Sequence, residues 1–501
     1  MISMLAARCA PSDFFVGRMA FVGGRIGSLS PVGVAPKGVG VTIGEPGSGK
    51  STGTAIIAVL RHRGASLTLD TKGEIAQACY AACGSGGNGV KGQGKATWVF
   101  DPLGMTGLPQ ARYNPFHEIG GVADATDALR LAYKLAEGLV RMPDGGDGSN
   151  SWVYSGAREW AYGLCAFIMA AYPPEEWTLM TLRRLAQEGE AAHAEAAKKQ
   201  GLKGVTPFDA LLARMKADAK GRFRQVSAAQ AANIEMMGDR QQGAILTALV
   251  EATSWLDLPK YQEAVSKCDF LLSDFRTERI AVFVCLPLGE LQGMAGGVMR
   301  AFITLFTQMM YDNVRRTPLP HGPALCIIDE YPQYGAIPST LLMAATGRDY
   351  HVKLLVLFQD INQLRKTYGE EDAGTLIGCA AYVQVMATTD DETIKWLVGR
   401  LGERLVRQRQ PDGRVVTRTF PLLDLEQAKR FLSPESANQI VLRPHERPLR
   451  LKIAPYWWFL PFWMYTPDVR HPEPRLRAWM RRQAARKASP SAMGKGGARN
   501  G

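Results

Sequence analysis

The stretch GEPGSGKS, residues 44–51, matches the pattern G-x-x-x-x-G-K-[ST] at each of its defined positions. In such a loop, glycines allow successive backbone N–H groups to converge on phosphate oxygens at the start of a helix. The lysine places a charge at the β- and γ-phosphates, and the final hydroxyl ligates Mg²⁺. The run GVGVTI (38–43) before the loop is strand-like, and STGTAIIAVLRHRG (51–64) after it is helix-like, so the context that this chemistry needs is present.

The loop therefore predicts a site for ATP and Mg²⁺, with Ser51 as a ligand of the metal ion. The residues expected to bind the nucleotide are consecutive and share the loop or the first turn of the helix. They are Gly44, Glu45, Pro46, Gly47, Ser48, Gly49, Lys50, Ser51 and Thr52.

A second motif is expected to complete this site. PALCIIDEY, residues 323–331, is an apolar strand-like run that ends in Asp329 and Glu330. We predict that Asp329 holds Mg²⁺ through water and that Glu330 polarises the attacking water. The adjacent Asp-Glu pair favours hydrolysis over binding alone. In a compact α/β core, we expect the strand of this motif to neighbour the strand that precedes the loop.

The spacing of the two motifs predicts an insertion, because Lys50 and Asp329 are 279 residues apart. Between 121 and 265 the sequence is rich in Ala, Met, Gln and Leu with apolar residues at helical spacing. Strand-like runs lie on both sides of this region, at 65–70, 96–101, 279–287, 352–359 and 381–388. These patterns predict an α/β fold with a mostly parallel sheet.

In detail, we predict a RecA-like P-loop nucleotide-binding domain formed by residues 37–120 and 266–468. Residues 121–265 would form an all-α inserted domain. Residues 1–36 would be an N-terminal segment, and no run in it approaches the roughly 18 apolar residues of a transmembrane helix.

The C-terminal end of the chain is strongly basic. From Arg475 onward there are eight Lys or Arg residues and no Asp or Glu, out of a net charge of +12. We predict that residues 469–501 are a basic flexible tail, either a solvated end or an arm for nucleic acid or anionic lipid. The aromatic stretch YWWFLPFWMY (456–465) before it is interpreted as a buried cap or as an interfacial or partner-docking patch.

Five further motifs follow one another in register with the P-loop. They are LTLDTKGE (67–74), YNPF (113–116), IIDEYPQYGAIP (327–338), LFQDINQLRKTYG (357–369) and LVGRLGER (397–404). Together they resemble the TraG-type coupling proteins of type IV secretion and bacterial conjugation, over roughly residues 37 to 455. This resemblance implies a FtsK/HerA-like P-loop motor that assembles as a homohexamer at the cytoplasmic face of the bacterial inner membrane.

The resemblance also implies partners and further site residues. Members of the family pass DNA, relaxases or effector proteins to the channel proteins of the secretion system. By position, Gln359 corresponds to the sensor of the γ-phosphate, and Arg348 to an arginine finger that reaches the neighbouring subunit. From the residues themselves, Asp70 is interpreted as orienting the Mg²⁺ shell or a water, whereas Lys72 and Glu74 of the same turn would equally fit an exposed ion pair.

One feature departs from the family pattern. Its members usually begin with two transmembrane helices, yet 43 residues precede Gly44 and none of their runs is long enough to span a bilayer. We therefore expect either a soluble variant or a truncated start, with peripheral or partner-mediated membrane attachment. Two alternatives to the secretion motor remain open from the sequence, a soluble FtsK/HerA-like DNA translocase and a non-motor, nucleotide-gated docking receptor.

Overall fold

The computed structural model describes residues 13–19, 31–34, 38–142, 151–201, 204–218, 220–293, 295–313, 316–409, 415–468 and 475–488. Within these ranges the chain forms fifteen strands. They are β1 (Phe14–Met19), β2 (Pro31–Val34), β3 (Val39–Ile43), β4 (Ser66–Asp70), β5 (Gly86–Gly87), β6 (Val90–Lys91), β7 (Ala96–Phe100), β8 (Ile280–Cys285), β9 (Ala324–Ile328), β10 (Val352–Phe358), β11 (Ala380–Val385), β12 (Glu403–Arg409), β13 (Val415–Pro421), β14 (Asn438–Leu442) and β15 (Leu449–Lys452).

The same ranges contain nineteen α-helices. They are α1 (Ile56–Arg61), α2 (Glu74–Cys83), α3 (Phe116–Gly121), α4 (Ala125–Leu139), α5 (Ser151–Ala171), α6 (Leu179–Glu188), α7 (Ala191–Lys199), α8 (Pro207–Ala217), α9 (Arg224–Glu235), α10 (Asp239–Ala252), α11 (Pro259–Ala264), α12 (Leu288–Gln292), α13 (Gly296–Tyr311), α14 (Pro338–Thr346), α15 (Ile361–Gly378), α16 (Asp391–Leu401), α17 (Leu425–Phe431), α18 (Tyr456–Phe459) and α19 (Arg475–Ala488). A π-helical turn, Ser51–Ala55, leads directly into α1.

One large sheet organises the molecule, with strands in the order β2-β1-β15-β14-β11-β3-β10-β9-β4-β8-β7. The strands from β11 to β7 are parallel, and β14, β15, β1 and β2 extend the sheet in antiparallel fashion. All residues of β3, β4, β8, β9 and β10 are buried, as expected for strands covered by helices on both faces. The predicted α/β class with a mostly parallel sheet is confirmed.

The strand order corrects one expectation about the site. The strand of the acidic motif, β9, does not neighbour β3, because β10 lies between them and pairs with both. Strand β4, which ends at Asp70, lies beyond β9 and is therefore not next to the P-loop strand either. The crossover through α14 returns β10 to a position inside the sheet, and spacing along the sequence does not reveal such an order.

Between β7 and β8 the described residues form helices α3 to α11 and no strand. Helix α4 packs closely along α13, since a Cβ added at Gly138 would lie 2.5 Å from the Cα of Ala301. Buried residues of these helices and of the sheet form one continuous hydrophobic cluster. The inserted helices therefore share a core with one face of the sheet.

Both ends of the chain differ from expectation in detail. Strands β1 and β2, which precede residue 37, belong to the main sheet. Residues 475–488 of the predicted flexible tail, 469–501, form helix α19, whereas residues 469–474 and 489–501 lie outside the described residues. Among the described helices, none combines the length and apolar character needed to cross a membrane.

Candidate active site

The P-loop connects β3 to the helix that begins at Ser51. Gly47 and Gly49 have φ angles of +81° and +91°, in the left-handed region that glycine adopts without strain. The ends of two strands hold the loop, because the N–H of Gly44 donates to the carbonyl of Phe358 and that of Glu45 to the carbonyl of Ala387, each at 3.1 Å. The sheet therefore fixes the loop at the carboxyl edge of its parallel strands.

Lys50 points back into this loop. Its side chain is buried, and Nζ donates to the carbonyl oxygens of Gly44 and, at 3.2 Å, of Glu45. Burial lowers the pKa of Lys50, and the nearby carboxylates of Glu330 and Asp329 partly counter this effect. The ammonium group therefore lies between the loop and the acidic pair, as the P-loop motif requires.

The acidic pair follows β9 at the same edge. Asp329 is 1% exposed, and neither of its carboxylate oxygens has a hydrogen-bond partner among the described residues. Burial raises the pKa of Asp329 to about 7, with a further contribution from the charges of Glu330 and Asp70. A divalent cation would supply the missing partner, so Asp329 and the hydroxyl of Ser51 fit the expected Mg²⁺ site.

Glu330 is held by two side chains from neighbouring strands. Gln359, which follows β10, donates through Nε2 to one carboxylate oxygen at 3.1 Å, and Lys72, which follows β4, reaches the other at 3.4 Å. The backbone of Glu330 is left-handed, with φ of +54°. A residue other than glycine adopts this conformation only where its surroundings impose it, and such positions cluster at functional sites.

Asp70 is held by the backbone of the turn that follows its strand. Its two carboxylate oxygens accept hydrogen bonds from the backbone N–H groups of Lys72, Gly73, Ile75 and Ala76, at 2.8 to 3.1 Å. Asp70 therefore fixes the turn into α2, and we interpret its influence on the Mg²⁺ shell as indirect.

Lys72 is a functional candidate that the sequence left undecided. Its ion pair is with Glu330 and not with Glu74 of its own turn. Burial lowers the pKa of Lys72, but the charges of Asp329 and Glu330 outweigh this effect and raise it overall. The sequence offered one signal for this role, because Lys72 comes just after a buried strand. The carboxyl ends of parallel strands meet at one edge of the sheet, which is where the acidic pair also lies.

Arg348 does not join these residues. It is exposed and lies in the turn between α14 and β10, at the opposite edge of the sheet. The length of β10, which is seven residues, separates the two edges by about 20 Å. The structure thus brings Lys50, Ser51, Asp329, Glu330 and Gln359 to one edge and leaves Arg348 at the other.

A second contact was also missed by sequence reasoning. The carboxylate of Glu45 accepts hydrogen bonds from the backbone N–H and the hydroxyl of Thr389, in the loop that follows β11. This loop and the C-terminal segment that contains Trp457 and Trp458 enclose the outer side of the P-loop.

Comparisons with known proteins agree with this arrangement. A family described as type IV secretory system conjugative DNA transfer matches residues 27–446. The chain belongs to this family. The resemblance inferred from the motifs is thereby confirmed.

Curated relatives match part of their own length. The probable conjugal transfer protein TraG of Sinorhizobium fredii is 29% identical over 217 residues, which cover 43% of this chain and 32% of the relative. Protein VirD4 of Rhizobium rhizogenes is 25% identical over 436 residues, which cover 82% of this chain and 57% of the relative. The chain therefore spans less than two thirds of the length of these relatives.

Solved structures share the fold. The bacterial conjugative coupling protein TrwBdeltaN70 in its unbound monoclinic form has a TM-score of 0.61 at 14% identity, covering 84% of this chain and 86% of that one. The plasmid coupling protein TrwB in complex with ADP and Mg²⁺ has a TM-score of 0.60 at 14% identity, covering 89% and 95%.

Proposed function

We propose that this chain is the ATP-hydrolysing motor of a coupling protein, which moves DNA or nucleoprotein substrates to a type IV secretion channel. The observation that carries the proposal is the meeting of the P-loop with the buried Asp329–Glu330 pair at one edge of the sheet. Asp329 has two buried oxygens without a partner among the described residues, which favours a cation at that position.

Each side chain of the edge has a distinct task in this proposal. Lys50 neutralises charge on the β- and γ-phosphates, and Ser51 and Asp329 hold Mg²⁺, which when bound stabilises the charge of the transferring phosphoryl group. Glu330 accepts a proton from the attacking water. Gln359 and Lys72 fix the orientation of the Glu330 carboxylate, and Gln359 also senses the γ-phosphate.

We further propose that Arg348 acts in a neighbouring subunit of a homohexamer. Arg348 is exposed, and the length of β10 separates it from the edge of the sheet that holds its own P-loop. Both observations support an action across an interface. A cation at that interface would stabilise the transition state only in the assembled ring.

The partners of the motor belong to the same proposal. They are single- or double-stranded DNA, relaxase or effector substrates, and channel proteins that keep the motor at the cytoplasmic face of the inner membrane. Three basic residues of the inserted helices are engaged within the protein, which does not favour a DNA contact by these three side chains. Arg214 pairs with Glu190 and Asp218, Lys216 pairs with Glu235, and Arg222 donates to the carbonyls of Val122 and Ala123.

The substitution Glu330→Gln tests the proposal. It keeps the shape of the side chain but removes the base, so ATP should bind with near-normal affinity while DNA-stimulated turnover is lost. Both quantities are measured on the full chain, by nucleotide titration and by phosphate release with and without single-stranded DNA. Glu371→Gln, at an exposed position of α15, is the matched control and should behave as wild type.

The possible results separate the competing functions. Normal hydrolysis by the Glu330→Gln variant contradicts the assignment of this carboxylate. Turnover that DNA does not stimulate, in a wild-type protein that binds ATP, contradicts the motor and favours a nucleotide-gated receptor.

A further inference from the structure

A cleft of about 380 Å³ lies directly beside the P-loop. One wall is the loop itself, through Gly47, Gly49 and Thr52, and the other includes Pro455, Trp457 and Trp458 of the C-terminal segment. This volume falls within the range of small-molecule pockets, which is roughly 300 to 1,000 Å³. The cleft therefore extends the phosphate site toward two tryptophans that lie over 400 residues further along the chain.

The C-terminal segment packs tightly on the loop. The Cγ2 atom of Ile453 would lie 3.2 Å from a Cβ added at Gly49 and 3.1 Å from one added at Gly53. A Cβ at either position would require the Ile453 side chain to shift by a few tenths of an ångström. The glycines thus serve the close approach of this segment as well as the backbone geometry of the loop.

Helix α19 holds the tryptophans in place. The guanidinium of Arg477 donates to the carbonyl oxygens of Trp457, of Trp458 at 2.9 Å and of Leu460 at 2.7 Å. On the inner side, the buried ring of Tyr456 meets the Trp457 ring edge-on, with centroids 4.9 Å apart. These contacts fix both ends of the aromatic wall.

The surface of this wall is suited to a flat aromatic ligand. Trp458 is 58% exposed, so much of its indole is available for contact. Stacking of a base on an aromatic side chain requires only a π-face, so it does not depend on the pattern of hydrogen-bonding groups along the base edge. Since the P-loop would hold the phosphates, the base of the same nucleotide is the group within reach of the cleft.

We propose that this cleft binds the nucleobase of a nucleoside triphosphate by stacking on Trp458 beside Trp457, and that Arg477 is the residue that positions this wall. The inference rests on the proposed function, because it requires the phosphates on the P-loop. Stacking accepts adenine and guanine alike, so ATP and GTP both bind.

The test compares a ligand with a base and one without. Trp458→Ala, and the double variant with Trp457→Ala, should weaken ATP binding by about tenfold or more, while affinity for inorganic tripolyphosphate stays unchanged. Both are measured calorimetrically on the full chain with Mg²⁺. Trp463→Ala is the matched control, because this tryptophan is also exposed, at 45%, but does not line the cleft.

The outcomes distinguish this inference from the proposed function. Lys50→Ala should weaken the binding of both ATP and tripolyphosphate. If the variant binds both with unchanged affinity, the phosphate site itself is wrong. If Lys50→Ala behaves as expected but the tryptophan variants bind ATP within twofold of wild type, the base site is wrong. If the double variant does not fold, Trp458→Phe is compared with Trp458→Ala. The phenylalanine keeps a stacking face, so it should retain most of the ATP affinity that Trp458→Ala loses.

Arg477 is tested as a positioning residue. Arg477→Ala should raise KM for ATP several-fold with kcat close to wild type, and Arg477→Lys should restore part of the loss. A lower Tm with an unchanged KM would mean that Arg477 only stabilises the fold, and would contradict its role in the cleft.

Discussion

The two ends of the proposed nucleotide cleft are built in opposite ways. At the proposed phosphate end, a continuous loop and the end of the buried strand β9 would supply the chemistry, through Lys50, Asp329 and Glu330. At the other end, the wall comes from a C-terminal aromatic segment that a basic helix holds by hydrogen bonds to carbonyl groups. The chemistry of the first end depends on residue identity at fixed positions. The shape of the second end depends on packing between distant parts of the chain.

This difference predicts different consequences of substitution. Changes at the phosphate end should remove catalysis and leave the fold intact, since burial disfavours the charged forms of Lys50 and Asp329. Changes at the aromatic end should alter affinity for the base and leave the chemical step alone.

Lys50→Ala should have the largest effect. Without the charge at the β- and γ-phosphates, hydrolysis should fall below detection. Burial lowers the pKa of Lys50, so the charged ammonium is disfavoured in the folded protein, and its removal should leave Tm unchanged or slightly higher. Phosphate release and calorimetric melting measure the two effects, and wild-type turnover in the folded variant contradicts the site.

Arg348→Ala should have the next largest effect, about 10³-fold in kcat, the scale typical of an arginine finger. ATP affinity should stay near normal, because Arg348 lies at the opposite edge of the sheet from its own P-loop. The variant is also mixed with Lys50→Ala, which still carries the arginine. Co-assembled rings should regain part of the activity, because an intact P-loop then faces an intact arginine.

The outcome of mixing decides the role of Arg348. No recovery at any ratio, in rings shown to contain both variants, means that the arginine does not act in trans and is a structural residue of the turn before β10.

Lys72→Met should have a smaller effect, about tenfold in kcat, the scale of a lost charge-assisted hydrogen bond. The substitution removes one of the two donors that hold Glu330 and leaves Gln359 in place. Lys395→Met is the control, because Lys395 also pairs with a glutamate, Glu392, but both of these side chains are exposed. Equal turnover of the two variants would show that the ion pair of Lys72 does not orient the catalytic carboxylate.

These contrasts explain how much of the molecule could be predicted. The meeting of the loop with the Asp329–Glu330 pair at one edge of the sheet could be predicted, because both patterns require particular residues at fixed spacings next to buried strands. The contact of Lys72 with Glu330 was not found, because it joins residues 258 positions apart, and local patterns carry no information on such pairs. The position of β10 between β3 and β9 was missed for the same reason.

The C-terminal region was harder still. Its aromatic stretch was interpreted as a buried cap or a docking patch, and its basic residues were interpreted separately as a flexible tail. Arg477 joins them, since it uses its charge on backbone carbonyls of the aromatic segment. Composition indicates that a segment is basic, but not whether its arginines face solvent or a carbonyl group.

The smallest expected effect separates the two parts of the predicted basic tail. Deleting residues 489–501 removes Lys495 and Arg499 but keeps α19 and its contact with the tryptophans. KM for ATP should therefore not change. If these two cations contact phosphates, the magnitude of the slope of log K against log salt for single-stranded DNA should decrease by roughly 0.7 per lost contact.

Deleting residues 475–501 should change that slope at least as much and also raise KM for ATP, because Arg477 is lost. An unchanged slope in both deletions would exclude the tail from DNA binding, and an unchanged KM in the longer deletion would remove the difference between the two ends of the cleft.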